Sequence, residues 1–370
     1  MTIDSGTPPV RFGLIGAGVI ARNSHSAPFK QRPDQVRLVA ICDGVEASAR
    51  AMAADLGGEI AVLSDHRELL GRRDIDAVIV ATPHHSHAQL AQDCVAAGKP
   101  VLVEKPVVCT VDEMRSLRAA SLAAAVPVIA GQMRRFEPEV LWLRDWIKAA
   151  PENFGDLRSF DIQSWQNLEG YLYRGGAGLK HWLLDGQRAG GGVVISLAIH
   201  QLDLIRFLFG ADYVSVTAHG RFDKPFYNGA ESVATATLAM SNGATGVLHA
   251  NYLAPRVPFC EALSAFGSNG TIIQHVEKHG DYRGPFKFAT TGGAPTTDWD
   301  QQFAGFEKVP APQGGLDPNS FVNQTLAFAD LVRSGAPSRN SLDENFNTIA
   351  TIEAITRSIR TGQTVTVDKL

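Results

Sequence analysis

The chain has 370 residues, of which 45% are hydrophobic and 19% are charged, a composition typical of a globular protein. Its 34 basic and 38 acidic residues give a net charge of -4 without any lysine- or arginine-rich run. We therefore expect neither nucleic acid nor an anionic membrane as a partner. Because single cores stop growing at about 250–300 residues, we expect two domains with a ligand-binding cleft between them.

The cysteines are far apart and lack the C-x-x-C spacing of a zinc or dithiol site; they are Cys42, Cys94, Cys109 and Cys260. The N-terminus holds no cationic stretch followed by an apolar core. No uninterrupted apolar run approaches the roughly 18 residues that span a bilayer. These features predict a cytoplasmic protein in a reducing compartment, without membrane contact.

From Val10 onward, short apolar runs alternate with helical segments. The runs are rich in valine and isoleucine and are, in chain order, VRFGLIGAG, VRLVAICD, DAVIVATP, PVLVEKP and PVIAGQM. Continuous apolar strands that alternate with helices predict a parallel sheet covered on both faces, in a doubly wound α/β domain. We place this domain at residues 1–130.

The pattern changes after a predicted helix at residues 138–149. The strands then follow one another and alternate apolar with polar residues; they are DLRSFDIQSW, VSVTAHG, ESVATATLAM, GATGVLHANYL, EALSAFG and GTIIQHV. This alternation predicts a mostly antiparallel sheet with one buried face. Residues 280–318, rich in glycine and proline, predict an irregular excursion, and helices at 319–334 and 343–361 end the chain. We assign residues 131–370 to a second α/β domain, which we expect to bind substrate.

A glycine turn lies between the first strand and the helix after it. In the G-x-G-x-x-A sequence at residues 16–21, the first glycine permits the turn and the second lets the backbone approach a pyrophosphate. Asp43 ends the second strand, where its carboxylate suits the ribose hydroxyls of an adenosine and would repel a 2′-phosphate. The pattern therefore favours NAD over NADP, with contacts from Gly16, Gly18, Val19, Ile20 and Asp43.

The ends of the third and fourth strands are expected at the same sheet edge as the glycine turn. We predict further cofactor contacts there from Thr82, Pro83, His84, His87, Glu104 and Lys105. His84, His85 and His87 also suggest a metal, but no nearby cysteine or second carboxylate completes a ligand set, so no metal is predicted. Lys105 is a candidate catalytic cation, because the crevice partly desolvates its amine and the following proline stiffens the turn.

A second candidate site is the apolar helix that follows the triple glycine at residues 190–192. At α-helical spacing Ser196, His200 and Asp203 fall on one narrow polar face, which must meet a partner, water or a substrate. A histidine bonded to Asp203 within the core is the alternative. A hydrolase triad is disfavoured, because no G-x-S-x-G sequence surrounds Ser196.

In order and spacing, these motifs resemble the glucose-fructose oxidoreductase/inositol dehydrogenase family (Gfo/Idh/MocA) along essentially the whole chain. The further shared sequences are ATPHHSHAQLA, EKP, RRFEP at residues 134–138 and the GGG…H-x-x-D helix. The resemblance implies a Rossmann domain, a C-terminal α/β domain with a large open sheet, and homodimers or homotetramers formed through that sheet. It also implies NAD(P)-dependent oxidation or reduction of a sugar, cyclitol or related polyol.

By the same resemblance, Lys105 matches a lysine that contacts the nicotinamide ribose and the substrate, and His200 matches a general acid/base. Ser196 stands where many members have aspartate, which puts cyclitol specificity in doubt. An aromatic face suits a sugar ring and a guanidinium suits an acidic group, so Trp165 and Arg135 join Ser196, His200 and Asp203 as substrate candidates. Sheet packing and helix capping are the alternatives for Trp165 and Arg135.

The predicted reaction is reversible hydride transfer between nicotinamide and a CH–OH carbon. His200 would exchange the hydroxyl proton, and Lys105 would stabilise the oxygen as it becomes negative. Two alternatives stay open: an epimerase- or glycosidase-type enzyme that uses tightly bound NAD transiently, and a regulator that binds dinucleotide without catalysis. The presence of both Lys105 and His200 argues against the regulator.

Overall fold

The computed structural model describes residues 8–174, 181–255, 259–276, 284–290, 305–310 and 316–370. The chain divides into two compact units, Met1–Glu137 with Asp317–Asn345 and Pro138–Leu316 with Phe346–Leu370. Most of the predicted excursion at 280–318 lies outside the described residues. The assignment of cofactor binding to 1–130 and substrate binding to 131–370 stays a prediction.

The first unit is built on a six-stranded parallel sheet in the order β3-β2-β1-β4-β5-β6. This order is that of a Rossmann fold and confirms the predicted doubly wound sheet. The strands are β1 (Val10–Ile15), β2 (Val36–Cys42), β3 (Ala61–Leu63), β4 (Ala77–Val80), β5 (Val101–Glu104) and β6 (Val128–Gly131). Sequence analysis misses β3, because three half-buried residues carry too short an apolar pattern.

The second unit is built on a nine-stranded sheet in the order β14-β13-β12-β11-β7-β10-β9-β8-β15. Only β7 and β10 pair in parallel, which confirms the predicted mostly antiparallel sheet. The strands are β7 (Leu157–Trp165), β8 (Tyr213–Arg221), β9 (Val233–Met240), β10 (Thr245–Asn251), β11 (Cys260–Gly267), β12 (Gly270–Gln274), β13 (Phe286–Thr290), β14 (Glu307–Lys308) and β15 (Val365–Thr366).

The sheet of the second unit has one buried and one exposed face. Along β9 and β10 buried and exposed residues alternate, so that Leu238 and Leu248 are buried while Val247 is 41% exposed. Such a period of two is what a strand with one covered face requires. The exposed face holds a shallow depression of about 330 Å³.

The described helices lie between and after these strands. In chain order they are α1 (Ser26–Gln31), α2 (Glu46–Leu56), α3 (His66–Leu70), α4 (His87–Ala96), α5 (Val111–Ala124), α6 (Pro138–Ala149), α7 (Leu168–Arg174), α8 (Gly186–Ala189), α9 (Ile199–Phe209), α10 (Ser320–Ser334) and α11 (Leu342–Thr361). A π-helical turn precedes α1 at Ala21–His25, and a second precedes α9 at Val194–Ala198.

Helix α10 belongs to the first unit, although sequence analysis places residues 319–334 in the C-terminal domain. Phe328 and Ala329 lie in the core of the parallel sheet, where the ring of Phe328 is 5.9 Å from that of Phe12. The side chain of Asn319 caps the helix by accepting a hydrogen bond from the amide of Phe321. The apolar face of α10 is visible in the sequence, but periodicity does not specify which sheet it covers.

One stretch of the second unit, Gly186–Phe209, is long and apolar enough to span a membrane by length and composition. Its most apolar window is 83% buried inside the structure, as in the core helix of a globular protein. His200, Asp203 and Arg206 interrupt its apolar residues, which is why sequence analysis finds no unbroken run.

Candidate functional site

The glycine turn after β1 lies at the carboxyl edge of the parallel sheet. Gly16 has a φ of +99°, and a Cβ at this position would lie 2.5 Å from the carbonyl oxygen of Ala81, so glycine is required. The amide of Gly16 donates to the carbonyl of Cys42 at 2.8 Å, which ties the turn to the end of β2. A Cβ on Gly18 would meet nothing within 4 Å, so this part of the turn presents open backbone.

The residues that follow the turn fit a bound dinucleotide. Ala21 is fully buried, as the small third residue of the motif predicts, whereas Val19 and Ile20 are 57% and 38% exposed. The first turn of this helix carries no acidic residue, so no carboxylate there opposes an anion. Open backbone at Gly18 and two exposed apolar side chains together suit the pyrophosphate and the apolar surfaces of NAD.

Asp43 lies beside the same turn. One carboxylate oxygen accepts a hydrogen bond from the amide of Ala17 at 2.6 Å, and the other accepts from the amide of Val45 at 2.7 Å. Because a carboxylate offers about four acceptor positions, Asp43 can also receive ribose hydroxyls. The structure therefore brings Asp43 and Gly16 together at one sheet edge.

Asp43→Ala is expected to weaken NADH binding about 10- to 100-fold, because losing a charged acceptor costs about 1.5–3 kcal/mol. Fluorescence titration with NADH measures the dissociation constant. Asp55→Ala, at an exposed position of α2 in the same unit, is the matched control and should leave that constant unchanged. Equal affinities for wild type and Asp43→Ala would exclude Asp43 from the cofactor site.

His87 is fully buried between two strand ends. Its Nδ1 lies 2.7 Å from the carbonyl oxygen of Pro106, and its Nε2 lies 2.7 Å from that of Thr82. Burial lowers the pKa of His87 below its ordinary value, although both hydrogen bonds act in the opposite direction. The ring is therefore a bridge between the turns after β4 and β5, and it has no exposed surface for the predicted cofactor contact.

The rest of the turn after β4 is held by local hydrogen bonds. The hydroxyl of Thr82 lies 2.7 Å from that of Ser86, which donates to the carbonyl of Pro83 at 2.8 Å. His84 is 6% exposed, and its ring centroid is 5.7 Å from that of His87. Among the described residues, no three histidine, cysteine, aspartate or glutamate side chains form a group that could hold a metal ion.

The turn after β5 carries Lys105, which is half-buried and joined to Pro106 by a cis peptide bond. The preceding Glu104 is 5% exposed and accepts from Nε2 of His25 at 2.8 Å and from the amide of Lys105 at 3.0 Å. Burial opposes ionisation, but the hydrogen bond and charge of His25 and the charge of Lys105 outweigh it and lower the pKa of Glu104. Glu104 is thus a buried, ionised anchor of the lysine turn.

Arg135, a predicted substrate residue, is 1% exposed in the first unit. Its Nη1 donates to the carbonyl of Arg339 at 2.5 Å and to Oε2 of Glu344 at 3.2 Å, and its Nη2 donates to the carbonyl of Glu344. These contacts hold Arg339 and the first turn of α11. The substrate role of Arg135 has no support from them and stays a prediction.

In the second unit, the segment that leads to His200 is capped by a residue distant in sequence. The buried carboxylate of Glu231 accepts from the amides of Gly192 and Val194, each at 2.9 Å. A Cβ on Gly192 would lie 1.9 Å from the carbonyl oxygen of Glu231, so glycine is required there. Burial raises the pKa of Glu231. Sequence analysis misses Glu231, because 39 residues separate it from Gly192 and no local pattern links them.

Glu231→Ala is expected to lower the free energy of unfolding by about 1–3 kcal/mol, because two buried amides lose their acceptor. Urea denaturation measures the change. Glu307→Ala, at an exposed position of β14, is the control. A change below about 0.5 kcal/mol in Glu231→Ala, the range of an ordinary surface substitution, would contradict the capping role.

The predicted polar face of the His200 helix is altered by the π-helical turn at Val194–Ala198. Because π-helical residues advance by a smaller angle than α-helical ones, the assumed α-helical spacing does not hold at Ser196. Ser196 and Asp203 are 5% and 1% exposed, whereas His200 is half-buried. Asp203 accepts a hydrogen bond from Thr348 at 3.1 Å, so it anchors α9 to α11 within the second unit.

Two aromatic residues follow neighbouring strands of the second unit. Trp165 ends β7 and is half-buried, with its ring centroid 6.0 Å from that of His249 in an edge-on contact. Tyr252 lies just after β10 and is 2% exposed; burial raises its pKa, an effect that a hydrogen bond with Ser196 partly offsets. The structure thus gives Ser196 an uncharged phenol as a neighbour, which sequence analysis does not find.

Residues 10–131 match the family model GFO_IDH_MocA, described as the oxidoreductase family with an NAD-binding Rossmann fold. Residues 142–273 match the model of the GFO/IDH/MocA C-terminal domain. The two matched ranges follow one another in the order of the two sheets.

Inositol 2-dehydrogenase 1 of Saccharopolyspora erythraea is 32% identical over 211 residues, which cover 57% of this chain and 57% of that relative. The scyllo-inositol 2-dehydrogenase (NAD(+)) of Bacillus subtilis is 26% identical over 363 residues, covering 97% and 96% of the two chains. A solved structure of levoglucosan dehydrogenase in complex with NADH is similar with a TM-score of 0.83 at 21% identity, covering 98% of this chain and 100% of that one. This last similarity concerns the fold.

Proposed function

The chain belongs to the GFO/IDH/MocA family of NAD-binding oxidoreductases, and on this premise we propose that it transfers a hydride between NAD and a CH–OH or C=O carbon of a sugar, cyclitol or related polyol. The similarity along nearly the whole chain to an enzyme named scyllo-inositol 2-dehydrogenase (NAD(+)) supports this substrate class.

The observation that carries the proposal is the connection between the glycine turn and the lysine turn. Gly16 lies against the carbonyl oxygen of Ala81, in the turn after β4. The ring of His87 joins that turn, at Thr82, to the turn after β5 that carries Lys105. The glycine turn proposed to hold the pyrophosphate and the lysine proposed to act in catalysis therefore lie on connected turns at one edge of the parallel sheet.

In this function Gly16 and Gly18 hold the pyrophosphate and Asp43 holds the adenosine ribose. Bound NAD supplies a nicotinamide ring that accepts or returns a hydride. His200 removes the proton from the substrate hydroxyl during oxidation and returns it during reduction. Lys105 donates a hydrogen bond to the substrate oxygen and stabilises its negative charge.

A panel of polyols and keto sugars with NAD(H) and NADP(H) tests this function. We expect net formation of NADH, followed by its absorbance, with at least one polyol and a preference for NAD. Conversion of substrate without net NADH would instead identify an enzyme that uses bound NAD transiently. Dinucleotide binding with no conversion of any member of the panel would favour the regulator.

We also propose that the protein is cytoplasmic and forms homodimers or homotetramers through the exposed face of the nine-stranded sheet. The period-two alternation along β9 and β10, which leaves one face of the sheet exposed, supports association through that face. Light scattering of the purified protein measures the number of copies, and a monomer at working concentration would contradict this part of the proposal.

A further inference from the structure

His25 is a buried histidine that sequence analysis does not single out. It ends the π-helical turn that follows the glycine turn, and it is 1% exposed. Its Nε2 lies 2.8 Å from Oε1 of the equally buried Glu104. The ring of Phe321 meets the imidazole edge-on, with centroids 5.1 Å apart. Packing on one side and a hydrogen bond on the other hold the ring in a single orientation.

The contacts of His25 identify the nitrogen that carries its proton. A carboxylate accepts hydrogen bonds, so we assign Nε2 as the donor to Oε1 of Glu104. Nδ1 has no hydrogen-bond partner among the residues that the structure describes. Among the described residues, the hydrogen bond to Glu104 is therefore the polar contact of the His25 ring.

The carboxylate that receives this bond also holds the backbone of Lys105. Its second oxygen accepts from the amide of Lys105 at 3.0 Å. On β6, Gly131 pairs with Glu104, and a Cβ there would lie 2.9 Å from the Cα of Glu104. On the other side, the carbonyl of Pro106 meets His87 at 2.7 Å. The lysine turn is thus restrained on both sides of Lys105.

Stability alone does not account for a buried histidine and glutamate at this place. Apolar residues of similar volume commonly stabilise a core as well as buried charged groups do, because burying charge costs hydration energy. Here the pair lies one residue from Lys105 and at the end of the turn that follows the cofactor-binding glycines. A charge-assisted hydrogen bond at such a position imposes a defined geometry on its neighbours.

We propose that His25 is a positioning residue: by donating its Nε2 proton to Glu104, it orients the Lys105 turn relative to the helix that follows the NAD-binding glycines. This inference rests on the proposed function, because it assigns His25 to the same cofactor edge. The placement of the Lys105 amine then depends on a residue that touches neither cofactor nor substrate.

Two variants of His25 and one control test the proposal kinetically. His25→Phe keeps a ring against Phe321 but lacks the donor, whereas His25→Gln retains an N–H donor. His66→Gln, the control, removes a histidine that lies 2.9 Å from Asp93 in the same unit.

We expect His25→Phe to lower kcat about 100-fold, the usual cost of misplacing a reacting group by about 1 Å. The KM for substrate and the dissociation constant of NADH should change less than about threefold, as for a group that acts in the transition state. His25→Gln should recover most of the lost kcat, and His66→Gln should retain the wild-type value. A merely structural role would change stability without this separation of kcat from binding.

A second measurement follows the Lys105 amine without turnover. Reductive methylation with isotopically labelled formaldehyde makes lysine amines visible by NMR, and the loss of one resonance in Lys105→Met identifies Lys105. We expect this resonance to shift in His25→Phe, to return towards its wild-type position in His25→Gln, and to stay in place in His66→Gln.

The two measurements separate the failure of this inference from that of the proposed function. A wild-type protein that converts no substrate overturns the function, while the NMR resonance still decides the role of His25. An unmoved Lys105 resonance in folded His25→Phe overturns the positioning role, as does an unchanged kcat. If His25→Phe does not fold, Glu104→Gln replaces it with the same two outcomes, because the amide cannot accept both hydrogen bonds.

Discussion

His200→Asn is expected to lower kcat about 100- to 10,000-fold, because the variant lacks the side chain that exchanges a proton with the substrate hydroxyl. His200 is half-buried at the start of α9, so asparagine keeps a polar group of smaller size at the same position. The dissociation constant of NADH should be unchanged, since the residues proposed to hold the cofactor are in the first unit. Steady-state rates and a fluorescence titration measure the two quantities.

The matched control for this variant is His219→Asn, which replaces an exposed histidine on β8 in the same unit. It should retain wild-type kcat. A His200→Asn protein that is folded, binds NADH and turns over at the wild-type rate would remove His200 from the mechanism. The acid and base would then have to be sought elsewhere in the second unit.

Lys105→Met is expected to lower kcat about 100- to 1,000-fold, the cost of removing one donor that stabilises a developing oxyanion. Methionine preserves much of the unbranched stem and removes only the charge and the donor. NADH binding should be largely intact, because the pyrophosphate and ribose contacts come from the glycine turn and Asp43. The kcat and the NADH dissociation constant are the quantities to measure.

Lys30→Met, at an exposed position of α1 in the same unit, is the control for this second variant. It removes one positive charge without touching the lysine turn, so its kcat should match that of wild type. Undiminished turnover in Lys105→Met would exclude an electrostatic role for this amine. The proposed role of His25 would then fail together with it, because His25 is argued to act through Lys105.

Glu104 and Asp43 are both predicted from the sequence to contact the cofactor, but their surroundings differ. Both follow or end strands of the same parallel sheet. Glu104 is buried, ionised and committed to His25 and the Lys105 amide. Asp43 is only half-buried and retains acceptor positions beside the glycine turn. Of these two carboxylates, we therefore propose Asp43 as the one that binds a ribose.

Features that depend on local pattern can be predicted from the sequence alone. Runs of apolar residues that alternate with helices predicted the Rossmann sheet, and polar alternation predicted the antiparallel sheet, because strand and helix periods are properties of neighbouring residues. The positive φ and the close approach at Gly16 likewise follow from a motif of six consecutive residues.

Features that depend on residues distant in sequence are visible only in the tertiary structure. Helix α10 packs into the core of the first unit, and Glu231 caps the segment before His200. His25 forms a hydrogen bond with Glu104, which is 79 positions away in the sequence. Burial also determines which polar side chains are accessible to a ligand: His87 and Arg135 are buried, whereas Asp43 is only half-buried. Sequence periodicity predicts which face of a helix or strand a side chain lies on. The residue that this side chain contacts depends on how the helices and strands pack together.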